Sequence, residues 1–519
     1  MVAVTSRSII GFLALGIWGC EATVRNVAII GAGAAGSSTA YHLQRFAEEL
    51  SPDVDFNITI FEKTGRIGGR TLTVGVYDDD RQPVELGASI FAGVNAILVN
   101  ATRNFDLELT GLRDGDPGDV TAIWDGKRIV YDTKEGDSFW WDAARLWWRY
   151  GMSPYRASGL VKRVVDQFLS LYEEPWFPFR SLTQRAYELE LSKLTGVTGA
   201  QLLEQNGITE QFGREILQAA TRVNYASNLA HLHGVDTAVS LAAEGASAVE
   251  GGNWRIFDGM VRRSGAALRL NTTVTAIDVD VDADGGGEPG RDGKRYTITT
   301  TDSEGRYPVS FDKVVLASPW QFSRIRADEN VLRHKIDAVN YTKLHVTLLT
   351  TPFRLRPGFF GLEPGSKAPS NVYTTLPVDE EPRLGNAAGS PGFFSVSTLR
   401  PVTDPRSGRR EFLYKIFSPE PVEPTFLSDI FGVHVDEVKG KGDGGPISWY
   451  YPTSFYAYPT ALPRVTFQDP VVGDGVFYTS GMEGFISTME TNALMGMNVA
   501  RLMVDEVRGN FVKEYNDEL

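Results

Sequence analysis

The chain has 519 residues, of which 42% are hydrophobic and 22% are charged, and its formal net charge is −14. This length exceeds the usual size of one domain, so we expect two intimately joined domains. The acidic balance argues against nucleic acid as a partner, because phosphate backbones attract basic surfaces. It does not exclude a local membrane-facing patch on an otherwise ordinary globular protein.

Residues 1–22 have the pattern of a secretory signal peptide. Arg7 precedes an apolar run at Ile9–Trp18 that is too short to span a bilayer comfortably, and small residues for cleavage follow at 20–22. An uncleaved anchor or a buried strand is the alternative. Cys20 is the only cysteine. Its removal with the signal would exclude cysteine nucleophiles, disulfides and cysteine metal sites.

We expect the mature chain to be in the secretory pathway, whether in the ER lumen, in a lysosome or vacuole, or secreted. The last four residues, Asn-Asp-Glu-Leu at 516–519, resemble an ER-retrieval signal with a changed first residue. The sequons at Asn100, Asn271 and Asn340 are predicted glycan sites. The sequon at Asn57 falls in a predicted strand, where we expect it to be buried.

A glycine-rich turn follows the first strand-like run, Val27–Ile30. In this turn Gly31 permits a sharp reversal, Gly33 permits close approach of a pyrophosphate, and Gly36 lets the next helix lie against the strand. The N-terminus of that helix presents free N–H groups to phosphate. The complete turn is Gly31-Ala32-Gly33-Ala34-Ala35-Gly36.

An acid ends the second strand-like run, Asn57–Phe61, and Lys63 follows it. This acid, Glu62, is expected to accept hydrogen bonds from the adenosine ribose and to disfavour a 2′-phosphate. Strand, glycine turn, helix, strand and acid together predict an α/β fold with a Rossmann-like domain that binds a dinucleotide.

A second glycine loop, Gly65–Arg70, follows immediately. The two loops together resemble the opening of the flavin amine oxidase and phytoene desaturase group, in which the second loop lies along the FAD diphosphate. The resemblance implies an FAD-binding domain of the glutathione-reductase type. It also implies that Glu483 bonds the ribityl chain and that a helix starting near Met489 points its N-terminus at the flavin.

Further motifs resemble the prenylcysteine oxidase (prenylcysteine lyase) family and cover nearly the whole mature chain in order. The motifs are the segments Glu85–Ile90, Trp147–Gly151, Arg222–Tyr225, Ala248–Asn253 and Ser480–Glu483. Segment 355–445 resembles the family only loosely. The cofactor-binding residues expected are Gly31, Gly33, Ala34, Ala35, Gly36, Glu62, Lys63, Gly69, Arg70, Gly87, Ala88, Ser89, Val274, Gly481, Glu483 and Met489.

The resemblance implies oxidative cleavage of a hydrophobic thioether, S-prenylcysteine. Hydride equivalents pass from C1 of the prenyl group to FAD, and water adds to that carbon. The hemithioacetal collapses to cysteine and a prenyl aldehyde, and dioxygen reoxidises the flavin to give hydrogen peroxide. Such chemistry needs a positioned flavin and a dry pocket rather than a metal or a nucleophile, and we predict no metal site.

Four residues are candidates for the catalytic side of the site. Arg222, Asn224 and Tyr225 are candidates to line the substrate, with Arg222 pairing with the cysteine carboxylate; a structural network at a helix end is the alternative. Lys343 at a strand start is the candidate for a lysine that holds water near flavin N5, as flavin amine oxidases often carry one. A solvated lysine is the alternative favoured there.

We predict that both domains are discontinuous in sequence. Helical periodicity dominates the first part of the second domain, with helices expected at Phe139–Tyr150, Ala157–Tyr172, Leu182–Leu194 and Glu210–Ala220. The FAD-binding domain is assigned 23–100, 235–330 and 466–519. An α+β substrate domain is assigned 101–234 and 331–465.

Four tryptophans recur at helical spacing within one stretch, 138–150. Core packing is the favoured explanation of Trp140, Trp141, Trp147 and Trp148. A lipid-interface face and the wall of a substrate channel are the alternatives.

Two other functions are compatible with the same sequence motifs. A flavin oxidase of amines or of an isoprenoid-derived metabolite would use the same scaffold. A flavin-fold protein that carries lipid without catalysis would lack bound yellow cofactor after purification.

Overall fold

The computed structural model describes residues 23–111, 120–133, 139–242, 244–280, 294–301, 307–436 and 445–509, with the backbone alone for 139–144. The predicted signal peptide, the Asp- and Gly-rich stretch 282–292 and the last four residues lie outside these ranges. No helix among the described residues is long and apolar enough to cross a membrane.

The strands are numbered in chain order. They are β1 (Thr23–Ile30), β2 (Val54–Phe61), β3 (Thr73–Val76), β4 (Asp79–Glu85), β5 (Leu109–Gly111), β6 (Thr121–Trp124), β7 (Ile129–Asp132), β8 (Ser247–Val249), β9 (Ala267–Arg269), β10 (Val274–Val279), β11 (Tyr296–Thr300), β12 (Lys313–Leu316), β13 (Tyr341–Thr351), β14 (Asn371–Thr374), β15 (Ser395–Thr403), β16 (Arg410–Ser418), β17 (Trp449–Pro459), β18 (Val471–Gly473) and β19 (Val476–Tyr478).

The α-helices are numbered in the same way. They are α1 (Ala34–Leu50), α2 (Ala96–Asn104), α3 (Phe139–Tyr150), α4 (Ser153–Leu169), α5 (Leu182–Glu188), α6 (Leu191–Thr195), α7 (Gly199–Gln205), α8 (Glu210–Phe212), α9 (Gln218–Tyr225), α10 (Gly234–Ser240), α11 (Trp254–Ser264), α12 (Trp320–Ser323), α13 (Pro424–Phe431) and α14 (Met489–Val507). A π-helical turn at Gly213–Leu217 joins α8 to α9, and 3-10 turns lie at Ser170–Tyr172, Leu229–His231, Pro357–Phe360 and Ser480–Gly484.

The first sheet carries the nucleotide-binding motif. In the described chain its strand order is β18-β19-β12-β1-β2-β9, and β1 runs parallel to both β2 and β12. Because Ile30 pairs with Phe61, the loops that follow β1 and β2 leave the sheet at the same edge. This is the edge at which open parallel sheets bind ligands. The predicted α/β fold is confirmed.

Glycine is required at two close approaches beside this edge. Gly31 has φ +111, and a Cβ there would lie 2.8 Å from the carbonyl oxygen of Ala317. A Cβ on Gly36 would overlap the carbonyl oxygen of Gly31. The roles predicted for these two residues, a sharp turn and close contact of helix and strand, match these positions.

The second sheet has two buried faces. Its strand order, among the described residues, is β17-β13-β16-β15-β14-β6-β7. Leu344, Val346 and Leu348 lie on one face with the apolar residues of the β3–β4 hairpin, and we call this the hairpin face. Leu349 lies on the opposite face and packs with the core residues of α13, including Leu427. Side chains alternate between the faces, so odd and even positions of β13 have different surroundings.

The strands of each sheet come from different parts of the chain. Those of the first lie within 23–61, 267–269, 313–316 and 471–478, and those of the second within 121–132 and 341–459. The domain limits given above stay a prediction.

Several sequence expectations need correction. The single helix predicted at Leu182–Leu194 is two helices, because Glu190 at the start of α6 has φ +56. Asn57 lies in β2 as expected, but its side chain is exposed and bonds Asn26, since this end of the strand alternates between buried and solvent positions. The prediction of core packing is wrong for Trp147 and Trp148, because both side chains are exposed. The side chains of Trp140 and Trp141 lie outside the described part of the chain.

Candidate active site

The two glycine loops meet at the edge of the first sheet. The Gly68 N–H donates to the Ala32 carbonyl at 2.9 Å. A Cβ on Gly69, which has φ +59, would lie 3.1 Å from the Cα of Gly33. Helix α1 begins after Gly33 without a side-chain cap and with no acid in its first turn, so its N–H groups are free for an anion. A cradle of bare backbone and helix N-terminus fits a diphosphate.

Glu62 lies directly after β2, beside this cradle. The carboxylate is buried, and it accepts hydrogen bonds from Ala32 N at 2.9 Å and from Thr64 N at 2.8 Å. Thr272 N donates to the Glu62 carbonyl, so the strand that begins at Val274 starts beside this acid. Each carboxylate oxygen has two lone pairs, which leaves acceptor capacity for ribose hydroxyls. Lys63, the next residue, is exposed.

The C-terminal acid lies beside the second glycine loop. Glu483 is 1% exposed, and its Oε2 is 2.7 Å from Arg70 Nη2 and accepts a 2.9 Å hydrogen bond from the Tyr341 hydroxyl. Arg70 also donates to the Ala457 carbonyl at 2.7 Å. Burial and the adjacent Glu483 carboxylate raise the pKa of Tyr341, which therefore stays protonated. Arg70 thus connects the second glycine loop to Glu483 and to β17, and it also lies near the cradle.

Helix α14 begins where the sequence predicts, at Met489 after the cap Thr488. Thr488 accepts from Thr491 N at 3.1 Å, which occupies one of the N–H groups of the first turn. Sequence reasoning missed the role of Glu490. Its buried carboxylate accepts from Ile97 N and Leu98 N and so caps α2, and burial raises its pKa to about 7.

Two of the segments that resemble the family, Glu85–Ile90 (ELGASI) and Ala248–Asn253 (AVEGGN), are hydrogen-bonded to each other. Asn253 Nδ2 donates to the Ala88 carbonyl at 2.8 Å, and Asn253 N donates to Glu85 Oε1 at 2.7 Å. Ala88 has φ +49, a conformation that an alanine holds only when its surroundings fix it. A Cβ on Gly87 would lie 3.1 Å from the Phe455 ring on β17. This turn, Gly87–Ser89, therefore lies between AVEGGN and the second sheet.

A lysine that the sequence reasoning missed contacts this turn. Lys415 Nζ donates to Ser89 Oγ at 2.8 Å and to the Glu85 carbonyl at 3.1 Å. Burial lowers the pKa of Lys415 to about 8, and burial raises the pKa of Glu85 to about 7. A charged residue inside the apolar alternation of β16 was the signal that could have found it, since such a residue needs a buried partner.

Lys343 lies on the other side of the sheet. It is exposed and shares the face of Leu349, whereas Leu348, which pairs with Lys415, is on the hairpin face with Phe455. The exposure of Lys343 agrees with the favoured alternative, a solvated lysine. Tyr341, two residues earlier on the same face of β13, bonds Glu483, and the role of Lys343 near the flavin stays a prediction. The shifted register between Thr342 and Lys343 is not visible in the sequence.

We expect Lys415→Met to slow turnover by about tenfold or more and to alter the flavin absorption spectrum, because it removes a positioned charge beside Ser89. Lys335→Met is the matched control and should leave both unchanged, because Lys335 is exposed and pairs with Asp337 at the surface. In the wild type, turnover should titrate near pH 8, with Lys415 charged below this pH, and the step should vanish in Lys415→Met. Visible spectra and pH–rate profiles of the three proteins test this; equal profiles for Lys415→Met and the wild type would contradict it.

Arg222 is fully buried in a structural network. Its guanidinium donates to Thr374 Oγ1, with a shortest distance of 2.9 Å, and to Asn228 Oδ1 at 3.0 Å. It also donates to the carbonyls of Ala387, Ala388 and Phe393. These bonds use all five N–H groups, so none is left for a substrate carboxylate. Burial lowers the pKa of Arg222 to about 9. These surroundings favour the alternative given for this residue, a structural network at a helix end, and pairing of Arg222 with a substrate carboxylate stays a prediction.

The other two residues of that motif also have protein partners. Tyr225 is buried and its hydroxyl bonds Asp236, and burial raises the pKa of this phenol. Asn224 is exposed and donates to the Ser240 carbonyl at 3.1 Å. His233 caps α10 by accepting from Asp236 N, and burial lowers its pKa to about 3, so it is neutral. Within the described ranges, no cluster of His, Cys, Asp and Glu could hold a metal ion.

The sequence profile of the prenylcysteine lyase family matches residues 133–516, which is more than half of the chain. The chain belongs to the prenylcysteine lyase family. A profile described as an NAD(P)-binding Rossmann-like domain matches residues 29–101, the part that holds both glycine loops.

Relatives in this family align along nearly their full length. Farnesylcysteine lyase of Arabidopsis thaliana is 27% identical over 492 residues, which cover 92% of this chain and 88% of that protein. Prenylcysteine oxidase 1 of Homo sapiens is 26% identical, with 96% of this chain and 94% of that protein covered. Among solved structures, cyclohexylamine oxidase from Brevibacterium oxydans has a TM-score of 0.53 and 16% identity over 93% of this chain and 99% of that one. This last likeness concerns the fold alone.

Family membership and the geometry of the cradle both indicate the same cofactor, FAD. Bare glycine backbone, a free helix N-terminus and an acid at the end of the second strand are the features that hold the ADP half of FAD. The second loop and Glu483 extend the same edge toward the flavin half. FAD as the cofactor, and oxidoreductase as the class of enzyme, are confirmed.

Proposed function

We propose that the protein is an FAD-dependent thioether oxidase that cleaves S-prenyl-L-cysteine, with a farnesyl or geranylgeranyl chain, in the degradation of prenylated proteins. Prenylcysteine, dioxygen and water give a prenyl aldehyde, free cysteine and hydrogen peroxide. Family membership over 133–516 carries the proposal, since relatives named farnesylcysteine lyase and prenylcysteine oxidase align over about nine-tenths of the chain.

The geometry of the site supports this chemistry. FAD supplies the two-electron acceptor when it is bound. The protein contributes the cradle at Gly33 and Gly69 and the ion pair between Arg70 and Glu483. It also contributes the turn Gly87–Ser89, which is hydrogen-bonded by Asn253 and Lys415. In this proposal these groups bind and orient the reactants, which is what an allylic hydride transfer needs.

Peroxide release tests the proposal. We expect the purified holoenzyme to form hydrogen peroxide and prenyl aldehyde in equal amounts with farnesylcysteine and with geranylgeranylcysteine, and to form neither with cysteine alone. Simple amines such as cyclohexylamine are the comparison substrates, because the solved amine oxidases share the fold. Peroxide with amines and none with either prenylcysteine would overturn the proposal in favour of an amine oxidase.

We also propose that the protein acts in the secretory or endolysosomal system. The signal-like residues 1–22 and the C-terminal Asn-Asp-Glu-Leu support this, and the four sequon side chains at Asn57, Asn100, Asn271 and Asn340 are exposed, as glycan attachment requires. Treatment of the secreted or ER-retained protein with an endoglycosidase should lower its apparent mass; an unchanged mass would contradict glycosylation.

A further inference from the structure

Large apolar side chains are concentrated at the corner where α3 ends and α4 begins. Trp147 is 60% exposed, Trp148 is 86% exposed, Met152 is 47% exposed and Tyr155 is 76% exposed. We call these four residues the aromatic corner. These four lie within nine consecutive residues, a density that no other exposed apolar side chains of the described ranges reach. A concentrated patch of this kind marks a surface that meets a partner.

The corner is a formed part of the fold rather than a frayed helix end. Tyr150, between the tryptophans and Met152, is buried against Phe212, and its hydroxyl donates to Glu215 at 2.7 Å. Arg149 reaches the same carboxylate at 2.8 Å. Because Tyr150 and Arg149 anchor the backbone here, the exposed side chains of the aromatic corner are held in place on the surface.

The segment that forms the corner is basic, although two of its arginines already have acidic partners: Arg145 lies near Asp132 and Arg149 pairs with Glu215. The segment 145–163 contains five basic residues and no acidic residue, whereas the whole chain has a net charge of −14. The basic residues are Arg145, Arg149, Arg156, Lys162 and Arg163. Tryptophan, tyrosine and methionine beside arginine and lysine are the composition that lies at the boundary between lipid headgroups and acyl chains, and anionic headgroups attract the basic residues.

We propose that the aromatic corner docks the protein on the surface of a lipid bilayer that contains anionic lipid. Trp147 and Trp148 insert at the level of the headgroups, and the basic segment 145–163 lies against the phosphates. Exposed rings on a firmly anchored backbone can enter the headgroup region of a bilayer, and such contact needs no membrane-spanning helix. The inference does not depend on which thioether or amine the active site oxidises.

Sedimentation of the full mature protein with vesicles tests the proposal. We expect the wild type to bind vesicles of phosphatidylcholine and phosphatidylserine, to bind more weakly as salt is raised, and to bind pure phosphatidylcholine poorly. The double variant Trp147→Ser, Trp148→Ser should bind about tenfold or more weakly. Since both side chains are largely exposed, its melting temperature and its turnover of a soluble substrate should not change.

Tyr187→Ser is the matched control, because Tyr187 is an aromatic residue of α5 that is 75% exposed and lies outside the corner. This variant should bind vesicles like the wild type. Two results would overturn the proposal: equal vesicle binding by the double variant and the wild type, or no binding by the wild type. A wild-type dimer that the double variant converts to monomer, without vesicle binding, would assign the corner to a second copy of the chain. Peroxide assays remain a separate measurement, so either proposal can fail alone.

Discussion

Gly33→Ala is expected to abolish stable FAD binding while the chain still folds. A Cβ at this position would lie 3.8 Å from the Cα of Gly69, an ordinary contact, so the polypeptide itself has room for the methyl group. The diphosphate does not, because it must approach the bare backbone where the two glycine loops meet. We expect the affinity for FAD to fall by a hundredfold or more, which corresponds to about 2.7 kcal/mol. The purified variant would be colourless.

FAD titration followed by flavin fluorescence, with circular dichroism of the apoprotein, measures both parts of this expectation. Gly445→Ala is the control, since nothing lies within 4 Å of a Cβ there. It should purify yellow with wild-type affinity. Gly36→Ala offers a contrast, because its Cβ would overlap the Gly31 carbonyl and should impair folding itself. A yellow, wild-type-like Gly33→Ala protein would show that the diphosphate does not lie in this cradle.

The local conformation around the first glycine loop could be predicted from the sequence. Gly31, Gly36 and Glu62 belong to one strand–turn–helix–strand unit whose geometry depends on neighbours within about 30 residues of each other. Met489 also begins α14, the helix expected to start near it. Here backbone conformation and hydrophobic periodicity are sufficient, because few alternative structures satisfy both.

The substrate side could not be predicted in this way. Whether Lys343 or Lys415 faces the Gly87–Ser89 turn depends on the pairing of β13 with β16 and on a register shift with β17. A register change of one residue moves every side chain of a strand to the other face, and the sequence contains no local signal for such long-range pairing. The aromatic stretch shows the same limit, since helical spacing indicates a helix without indicating which side meets solvent.

Arg222→Met is expected to destabilise the protein by about 3–5 kcal/mol without raising the KM for the thioether in the fraction that remains folded. The guanidinium is 0% exposed and bonds groups far away in the sequence, among them Thr374 and the Phe393 carbonyl. A methionine fills much of the space but leaves these buried acceptors without donors, and each such group costs about 1–3 kcal/mol. Arg326→Met is the control: Arg326 pairs with Asp278 at the exposed surface and should contribute no more than about 1 kcal/mol.

Chemical unfolding of the apoproteins, with initial rates over a range of substrate concentrations for the holoenzymes, separates a structural role from substrate binding. A residue that anchors the cysteine carboxylate would raise KM steeply when removed and would change stability little. A residue of the network lowers stability and leaves KM alone, because all five of its N–H groups bond the protein. Arg222→Lys should recover part of the stability, since an ammonium can reach only some of the acceptors. A stable Arg222→Met enzyme with a much higher KM would return this residue to the substrate site.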